Sequence, residues 1–342
     1  MRKAPTLKDI ALATGVHVST VSRALNPSLR TVLSDDVVKH ICEVAEQMGY
    51  RPNRLAAGLR TRRTMTVGLM IPDITNAIFP PILRGVESVL EPLGYASIIV
   101  NTDSILAREH LLVDVLRERG VDGIIHAAVL RNDPKIVKVA AEGTPMVTVN
   151  RKIENSGIPA VVNDDAQGIR MILKYLFDFG HRKIAHIAGP EDLSTGQGRK
   201  QAFVAGAREL GLEVPARAIA QSQRFDEAEG RRCTAALLDG GWPLTAILCA
   251  NDRLALGAFE VLRARGINCP TQVSVTGFND MPFLDLIPPR LTTVRIQQFE
   301  VGQVSADILV KLMTDPAAAV ASETTLPVKL VVRDSVAPPP SG

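Results

Sequence analysis

The sequence predicts two unlike parts: an all-α head that ends near residue 63, and a longer α/β body. Three observations predict this division. Residues 1–63 hold 11 Lys+Arg against 5 Asp+Glu, while the remaining residues hold 28 against 31. Apolar positions in the head recur at helical spacing, so the basic stretch is a folded unit and not a solubilising tail. In the body, short apolar runs alternate with amphipathic segments, as parallel strands covered by helices do. With 342 residues and 46% apolar content, the chain can build two or three cores. A basic head on a near-neutral body points to a polyanionic partner for the head alone.

From Leu7 the pattern LKDIALATGVHVSTVSRALN places Leu7, Ile10, Ala11 and Thr14 on one helical face. Thr6 can cap this helix, with Asp9 completing a capping box. Gly15 stops it, since glycine takes positive φ at little cost. A second short helix, about Val18 to Leu25, buries Val21 and Leu25 and turns Ser19, Thr20, Ser22 and Arg23 outward. Ala11, Gly15 and Val21 thus supply the small residue, the turn and the inward anchor of a helix-turn-helix. A third helix begins near Ser34, whose hydroxyl can cap it, and Asp35 and Asp36 suit its N-terminal dipole. It runs to Met48 with Val37, Val38, Ile41 and Ala45 inward, and Gly49 ends it.

After Thr64 the pattern changes. TVGLMIPD, ASIIVNTD, GIIHAAVL, MVTVNR, KIAHIAG, TAILCAN and SVTGFND read as buried parallel strands. Helical segments such as 78–93, 105–119, 165–179, 195–211 and 252–265 lie between them. This is a doubly wound α/β pattern, repeated through two similar lobes.

Catalytic signatures are missing from the sequence. It has no GxxxxGKS/T loop, no GxGxxG after the first strand, no GxSxG elbow and no HExxH. TGQGRK at 195–200 has the wrong spacing for a phosphate loop. The six histidines are dispersed, and His181 and His186 read as structural. Trp242, beside Gly-Gly and Pro, reads as a loop residue closing over a strand start, outside any cleft. No enzyme activity, cofactor or metal is expected. Cys42, Cys233, Cys249 and Cys269 form no CxxC pair and read as ordinary buried thiols in a reducing compartment. The basic N-terminus leads into no apolar stretch, and no run of about 18 apolar residues follows anywhere. The expectation is a cytoplasmic protein without a membrane span.

The segments VSTVSRALN, GYRPNRLAAGLRTRRT, IPDITNAIF and GFND, spread over essentially the whole chain, resemble the LacI/GalR family of bacterial transcription regulators. The resemblance implies a helix-turn-helix DNA-binding domain at 1–50 and a hinge helix and linker at 51–63. It implies a two-lobed, periplasmic-binding-protein-like core for effector binding and dimerisation at 64–342. Lobe one covers about 64–162 and 292–324, and lobe two about 163–291 and the C-terminal end. The chain is then expected to cross between lobes near 162, 292 and 324.

The resemblance also implies roles. Val18, Ser19 and Arg23 become base readers: arginine can fork onto guanine, serine can bond either partner, and valine can meet a thymine methyl. Thr6, Thr20, Ser22, Asn26, Tyr50, Asn53 and Arg60 join the DNA-contacting set, and Leu59 becomes a minor-groove wedge. Arg62 and Arg63 are candidates for nearby groove or phosphate contacts. For the effector it points to Asn76, Phe79, Asn150, Arg151, Thr195, Arg199, Phe225, Asn251 and Asn279. Aromatic faces and Asn and Arg side chains suit polyol recognition. Phe79 and Phe225 read equally well as core residues, and Asn251 as a helix cap. Asn150 and Asn279 stand where sugar-binding relatives carry Asp, so an anionic effector is expected unless Asp164, Asp165 or Asp252 neutralises the arginines.

Together these imply a dimeric repressor on a pseudo-palindromic double-stranded operator, associated with the bacterial nucleoid and governed by a sugar, sugar acid or related metabolite. The tail VVRDSVAPPPSG lacks the leucine heptads of a tetramer, so a homodimer is expected. A transport binding protein would share the body but need an export signal and no basic head; a sugar-modifying enzyme would need a catalytic constellation. Gly58 sits in the hinge, where glycine costs about 1 kcal/mol relative to alanine. The hinge is therefore expected to fold only on DNA. Hydrogen exchange checks this: amides 53–60 exchange freely in the free protein and slowly on the operator, and protection without DNA contradicts it.

Overall fold

The structure is a computed structural model and describes residues 5–25, 33–50 and 63–340. Asn26, Asn53, Arg54, Gly58, Leu59, Arg60 and Arg62 lie outside the described residues, so of the hinge stretch only Arg63 is included. The chain divides into two compact units, 1–64 and 65–342.

In the first unit, α1 (Leu7–Thr14) starts with a complete capping box. Thr6 N–H donates to Asp9 Oδ2 at 2.7 Å, and Asp9 N–H donates back to Thr6 Oγ1 at 3.4 Å. Gly15 ends the helix at φ 68°. α2 (Val18–Ala24) and α3 (Asp35–Gln47) complete the unit. Ile10, Ala11, Val21, Ala24, Ile41 and Ala45 form its core, with Leu7, Leu25, Val37 and Val38 packed around them. Two details differ from the sequence reading. The innermost C-terminal anchor of α2 is Ala24 and not Leu25, because the short helix brings the smaller residue to the crowded centre. Ser34 has N-cap backbone angles but its hydroxyl makes no capping bond, leaving Asp35 and Asp36 to face the helix dipole.

The second unit holds two parallel sheets. The first comprises β1 (Thr66–Ile71), β2 (Ala96–Asn101), β3 (Gly123–His126), β4 (Met146–Val149), β5 (Ala160–Asn163) and β11 (Glu323–Leu326). Its order is β11-β5-β4-β3-β1-β2, parallel throughout. The second, ordered β7-β6-β8-β9, comprises β6 (Ile184–Ala188), β7 (Ile219–Gln221), β8 (Ala246–Cys249) and β9 (Ser274–Thr276). β10 (Thr293–Arg295) pairs antiparallel with β12 (Lys329–Val331); Arg295 bridges to Asn279, and Thr292 just before β10 bridges to Thr276 at the end of β9.

The crossings follow from which core each segment enters. β5 leads directly into α7 (Asp165–Asp178), whose Ile169, Ile172, Leu173 and Leu176 pack in the second lobe with Phe278, Val294 and Ile296. α11 (Gln298–Thr314) returns to the first lobe through Val301, Ala306 and Leu309, as does Leu326. The crossings thus fall at 163–165, 296–298 and 326–328. The latter two come a few residues after the expected 292 and 324. β10 extends the second lobe's edge, and β11 completes the first sheet out to Leu326.

Between β1 and β2 lies α4 (Phe79–Leu90), which packs tightly on α11. The close approach depends on two glycines. A Cβ on Gly302 would run into the Ile82 carbonyl, and one on Gly85 into the Phe299 carbonyl. Backbone atoms cannot yield as a flexible side chain would. Gly302→Ala is therefore expected to cost about 1–3 kcal/mol by overpacking, read from the urea midpoint. An unchanged midpoint would mean that the helices part freely.

Candidate functional site

In the helical unit, α2 presents a polar face. Ser19 and Arg23 are exposed, while Val18, Thr20 and Ser22 are half-buried. His17 caps the helix by accepting from Ser19 N–H, and its Nδ1 also lies 2.7 Å from Ser19 Oγ. With Nδ1 acting as acceptor, the Ser19 hydroxyl donates its proton to it and keeps its lone pairs for an external donor. Val18 packs at the edge of the core. Thr6 spends its hydroxyl on Asp9 Oδ2 at 2.7 Å. Tyr50 is held at the core edge by its own N–H donating to the Ala45 carbonyl, and burial raises its phenol pKa.

The second candidate lies between the two lobes of the body. Strand-end loops of both sheets converge there on a small, largely filled pocket. All nine residues that the sequence singled out line it: Asn76, Phe79, Asn150, Arg151, Thr195, Arg199, Phe225, Asn251 and Asn279. Ile78 joins them, unread in the sequence because an isolated isoleucine gives no signal. A wider, solvent-open groove lies outside along Pro81 and residues 295–300.

Several lining residues have two tasks. Phe79 begins α4 and is also part of the first lobe's core. Phe225 packs against the second lobe's core, into space that a Cβ on Gly189 would take. Asn251 caps α10 (Asp252–Ala264): its Oδ1 accepts from Leu254 N–H at 2.9 Å, and its Nδ2 donates to the Phe225 carbonyl at 3.5 Å. Asn76 Oδ1 likewise accepts from Ile78 N–H at 3.3 Å. The alternatives of cap or core against lining residue are thus not exclusive.

The two buried arginines differ sharply. Arg199 donates to Asp165 Oδ1 at 2.8 Å and to the Ala250 carbonyl at 2.7 Å, and stacks 3.8 Å over the Phe278 ring. Asp165 therefore neutralises one of the cations on which the expectation of a doubly positive pocket rested. Arg151 is 7% exposed and has one long bond, 3.4 Å to the Ala128 carbonyl. Burial pulls its pKa down to about 10, against the attraction of Glu109. Four pocket atoms are buried without hydrogen-bond partners: Asn150 Oδ1, Arg151 Nε, Arg199 Nε and Asn279 Oδ1. Burying such groups unpaired costs about 1–3 kcal/mol each, so they invite a ligand offering both donors and acceptors.

The lobes meet around this pocket. Arg253 forks onto Glu227 at 2.7 and 2.8 Å and reaches Asp73 of the other lobe at 2.7 Å. Arg131 N–H donates to the Asp192 carbonyl at 2.7 Å, and Lys152 N–H to Ser194 Oγ at 3.0 Å. Other residues behave as structure. His181 bonds Thr245 and the Ala337 carbonyl. His186 stacks on Phe203, and burial pulls its pKa down to about 4. Trp242 is buried in the second lobe's core, away from the pocket. Only Cys233 and Cys249 are buried; Cys42 and Cys269 are half-buried, so the reading of four buried thiols holds for two. Among the described residues no group of three or more His, Cys, Asp or Glu could hold a metal, and no helix is long and apolar enough to cross a membrane.

Comparison with known proteins adds to this geometry. The model for bacterial regulatory proteins of the lacI family matches residues 6–53, and that for a periplasmic binding protein-like domain matches residues 173–336. Over 331 residues the chain is 30% identical to the ribose operon repressor of Halalkalibacterium halodurans, covering 96% of each. The lac repressor dimer bound to operator and the anti-inducer ONPF superposes with a TM-score of 0.86 at 25% identity, covering 98% of this chain and all of that one. A LacI family regulator from Enterococcus faecium with bound ribose superposes with a TM-score of 0.69 at 30% identity, covering 80% of this chain and 99% of that one.

Asp252 gives a pH test of the scaffold beside the pocket. It accepts from Thr293 Oγ1 at 2.6 Å and Met281 N–H at 2.8 Å, yet burial outweighs both bonds and raises its pKa to about 7. A folded-state pKa above the unfolded one means stability that is full below about pH 4 and lost as pH rises through 7. The loss reaches about 4 kcal/mol on the alkaline side. Asp252→Asn, whose amide can donate to Thr293, should remove this slope. Its urea midpoint relative to the parent should rise from pH 5 to 8; parallel curves would refute the assignment.

Proposed function

Because the chain belongs to the lacI family of bacterial regulatory proteins, we propose that it is a transcriptional repressor that binds a pseudo-palindromic operator as a homodimer and is governed by a small molecule in the interlobe pocket. Its relatives are regulators and not enzymes. The observation that carries the proposal is the union of two features in one chain. One is a helix-turn-helix with a polar outer face; the other is an interlobe pocket whose lining leaves donors and acceptors unpaired.

On this reading Arg23, Ser19, Thr20, Ser22 and Val18 meet base edges in the major groove. Thr6, Asn26, Tyr50, Asn53 and Arg60 hold register on the backbone, and Leu59 wedges the central step. A second copy is supported by exposed apolar side chains that a monomer has no reason to show. Phe283, Leu286 and Ile287 cluster on one loop, and Ile99 lies on β2 at the edge of the six-stranded sheet. Operator binding places the protein in the cytoplasm with the chromosome. The effector belongs to the sugars, sugar acids or related metabolites. Whichever conformation it favours, its effect on DNA affinity and DNA's effect on its own affinity are equal.

Selection of operators from a random duplex pool, with and without candidate effectors, tests this. A palindromic consensus is expected. Arg23→Ala should cost about 1–3 kcal/mol and relax one position per half-site. Binding that depends on salt but not on sequence would leave only phosphate contacts and overturn the proposal.

A further inference from the structure

The chemistry of the pocket narrows its ligand further, resting on the reading of that pocket as the effector site. We infer that it takes a polyhydroxy monocarboxylate, with the carboxylate seated on Arg151 and hydroxyls donating to Asn150 and Asn279.

A charge inventory carries this. Arg199 has its counter-ion in Asp165, a side chain 18% exposed, together with a bond to the Ala250 carbonyl and a stack on the Phe278 face, which leaves only its Nε without a partner. Arg151 has no ion pair within 4.0 Å among the described residues, and its Nε has no partner at all. Glu109, a buried carboxylate that attracts Arg151, makes no ion pair with it; its Oε1 lies 3.1 Å from Nε2 of the equally buried His126 without forming a hydrogen bond. His126 Nδ1 accepts from Ala128 N–H at 3.2 Å, and its Nε2 lies beside Glu109. Glu109 and the exposed Asp192 thus attract Arg151 without pairing with it. The Ala128 carbonyl, on the loop that His126 braces, holds one Nη of Arg151 in place. A guanidinium so placed is buried, fixed and lacking a direct counter-ion, and it matches a carboxylate bidentately.

The two asparagines set the rest of the ligand. Asn150 and Asn279 adopt φ of 64° and 117°, positive values that asparagine tolerates better than most residues. Each has a buried Oδ1 with no donor. A carboxylate would be repelled there, whereas a hydroxyl donates. Gln298 Nε2 donates to the Asn279 carbonyl at 3.1 Å and secures that loop. A neutral polyol leaves Arg151 unpaired. A phosphate monoester brings a second negative charge for which no guanidinium is free. One carboxylate with several hydroxyls satisfies all three groups.

Thermal shift and calorimetric titration of the full chain with matched probes test this. The acidic probes are gluconate, glucuronate and galacturonate, the neutral ones glucose, galactose and sorbitol, and the phosphorylated one glucose 6-phosphate. At least one carboxylate should bind about tenfold or more tighter than its neutral and phosphorylated counterparts. Arg151→Gln should erase that preference while ligand-free operator binding, the control for folding, persists; Arg151→Lys should keep part of it. Asn279→Asp, which adds a carboxylate to the pocket, should weaken the acid by about tenfold. A preference for neutral or phosphorylated probes, no binding by any carboxylate, or an acid indifferent to Arg151→Gln overturns the inference. A neutral ligand lost on Phe225→Ala does so while leaving the pocket reading intact. A ligand indifferent to both Phe225→Ala and Asn76→Ala overturns the pocket reading itself.

Discussion

The compensation of one buried guanidinium holds the second lobe's side of the pocket together. Arg199 sits in α8 (Ser194–Glu209), and its contacts gather three separate stretches of chain. It bonds the carbonyl just after β8, a carboxylate at the start of α7, and the ring that follows β9. Removing a guanidinium from water is costly unless its charge and donors are met. The strand ends that meet them are therefore held in one arrangement. Phe278 can serve as the stacking face because Gly168 leaves room for its ring.

The crossing segments are tied to the same lobe by carboxylates. Asp280 receives Arg295 at 2.6 Å and Arg333 at 2.7 Å, pinning the second crossing and the chain after the third to one anchor. Asp252 accepts from Thr293, just before the second crossing, and from Met281 in the loop that carries Asn279. Parallel sheets place their functional loops at the carboxyl ends of strands, so two such sheets facing each other make a cleft by topology alone. The carboxylates decide how its walls are set.

Much of this was legible in the sequence. The runs TVGLMI, GIIH, MVTV and AILC are mostly apolar because both faces of their strands are covered, and they marked the sheets. The nine lining residues came from the resemblance to the LacI/GalR family, and they gather in one place because strand ends and cleft coincide in this topology. What stayed hidden was pairing. A sequence shows two arginines and several aspartates but not that Asp165 reaches Arg199 while Arg151 is left without a direct partner. The Glu109–His126 pair was hidden too, because a glutamate in a helix of charged residues ordinarily faces water. Short strands such as β10 and β12 carry too few residues for periodicity to speak, which moved the crossings. The choice of Ala24 over Leu25 turned on a few degrees of helix phase.

The start of α10 brings these threads to one place. Asn251 faces the pocket, Asp252 holds the second crossing, and Arg253 spans the lobes between Glu227 and Asp73. Consecutive residues at a helix N-terminus point in different directions, about 100° apart, so one turn can serve three neighbours at once. The cap ties them: Asn251 Oδ1 accepts from Leu254 N–H, so a pull on its amide is a pull on the whole first turn. A ligand that engages Asn251 therefore bears on the crossing and on the interlobe ion pair without contacting either. It shifts their balance only by as much as it prefers one setting of that turn.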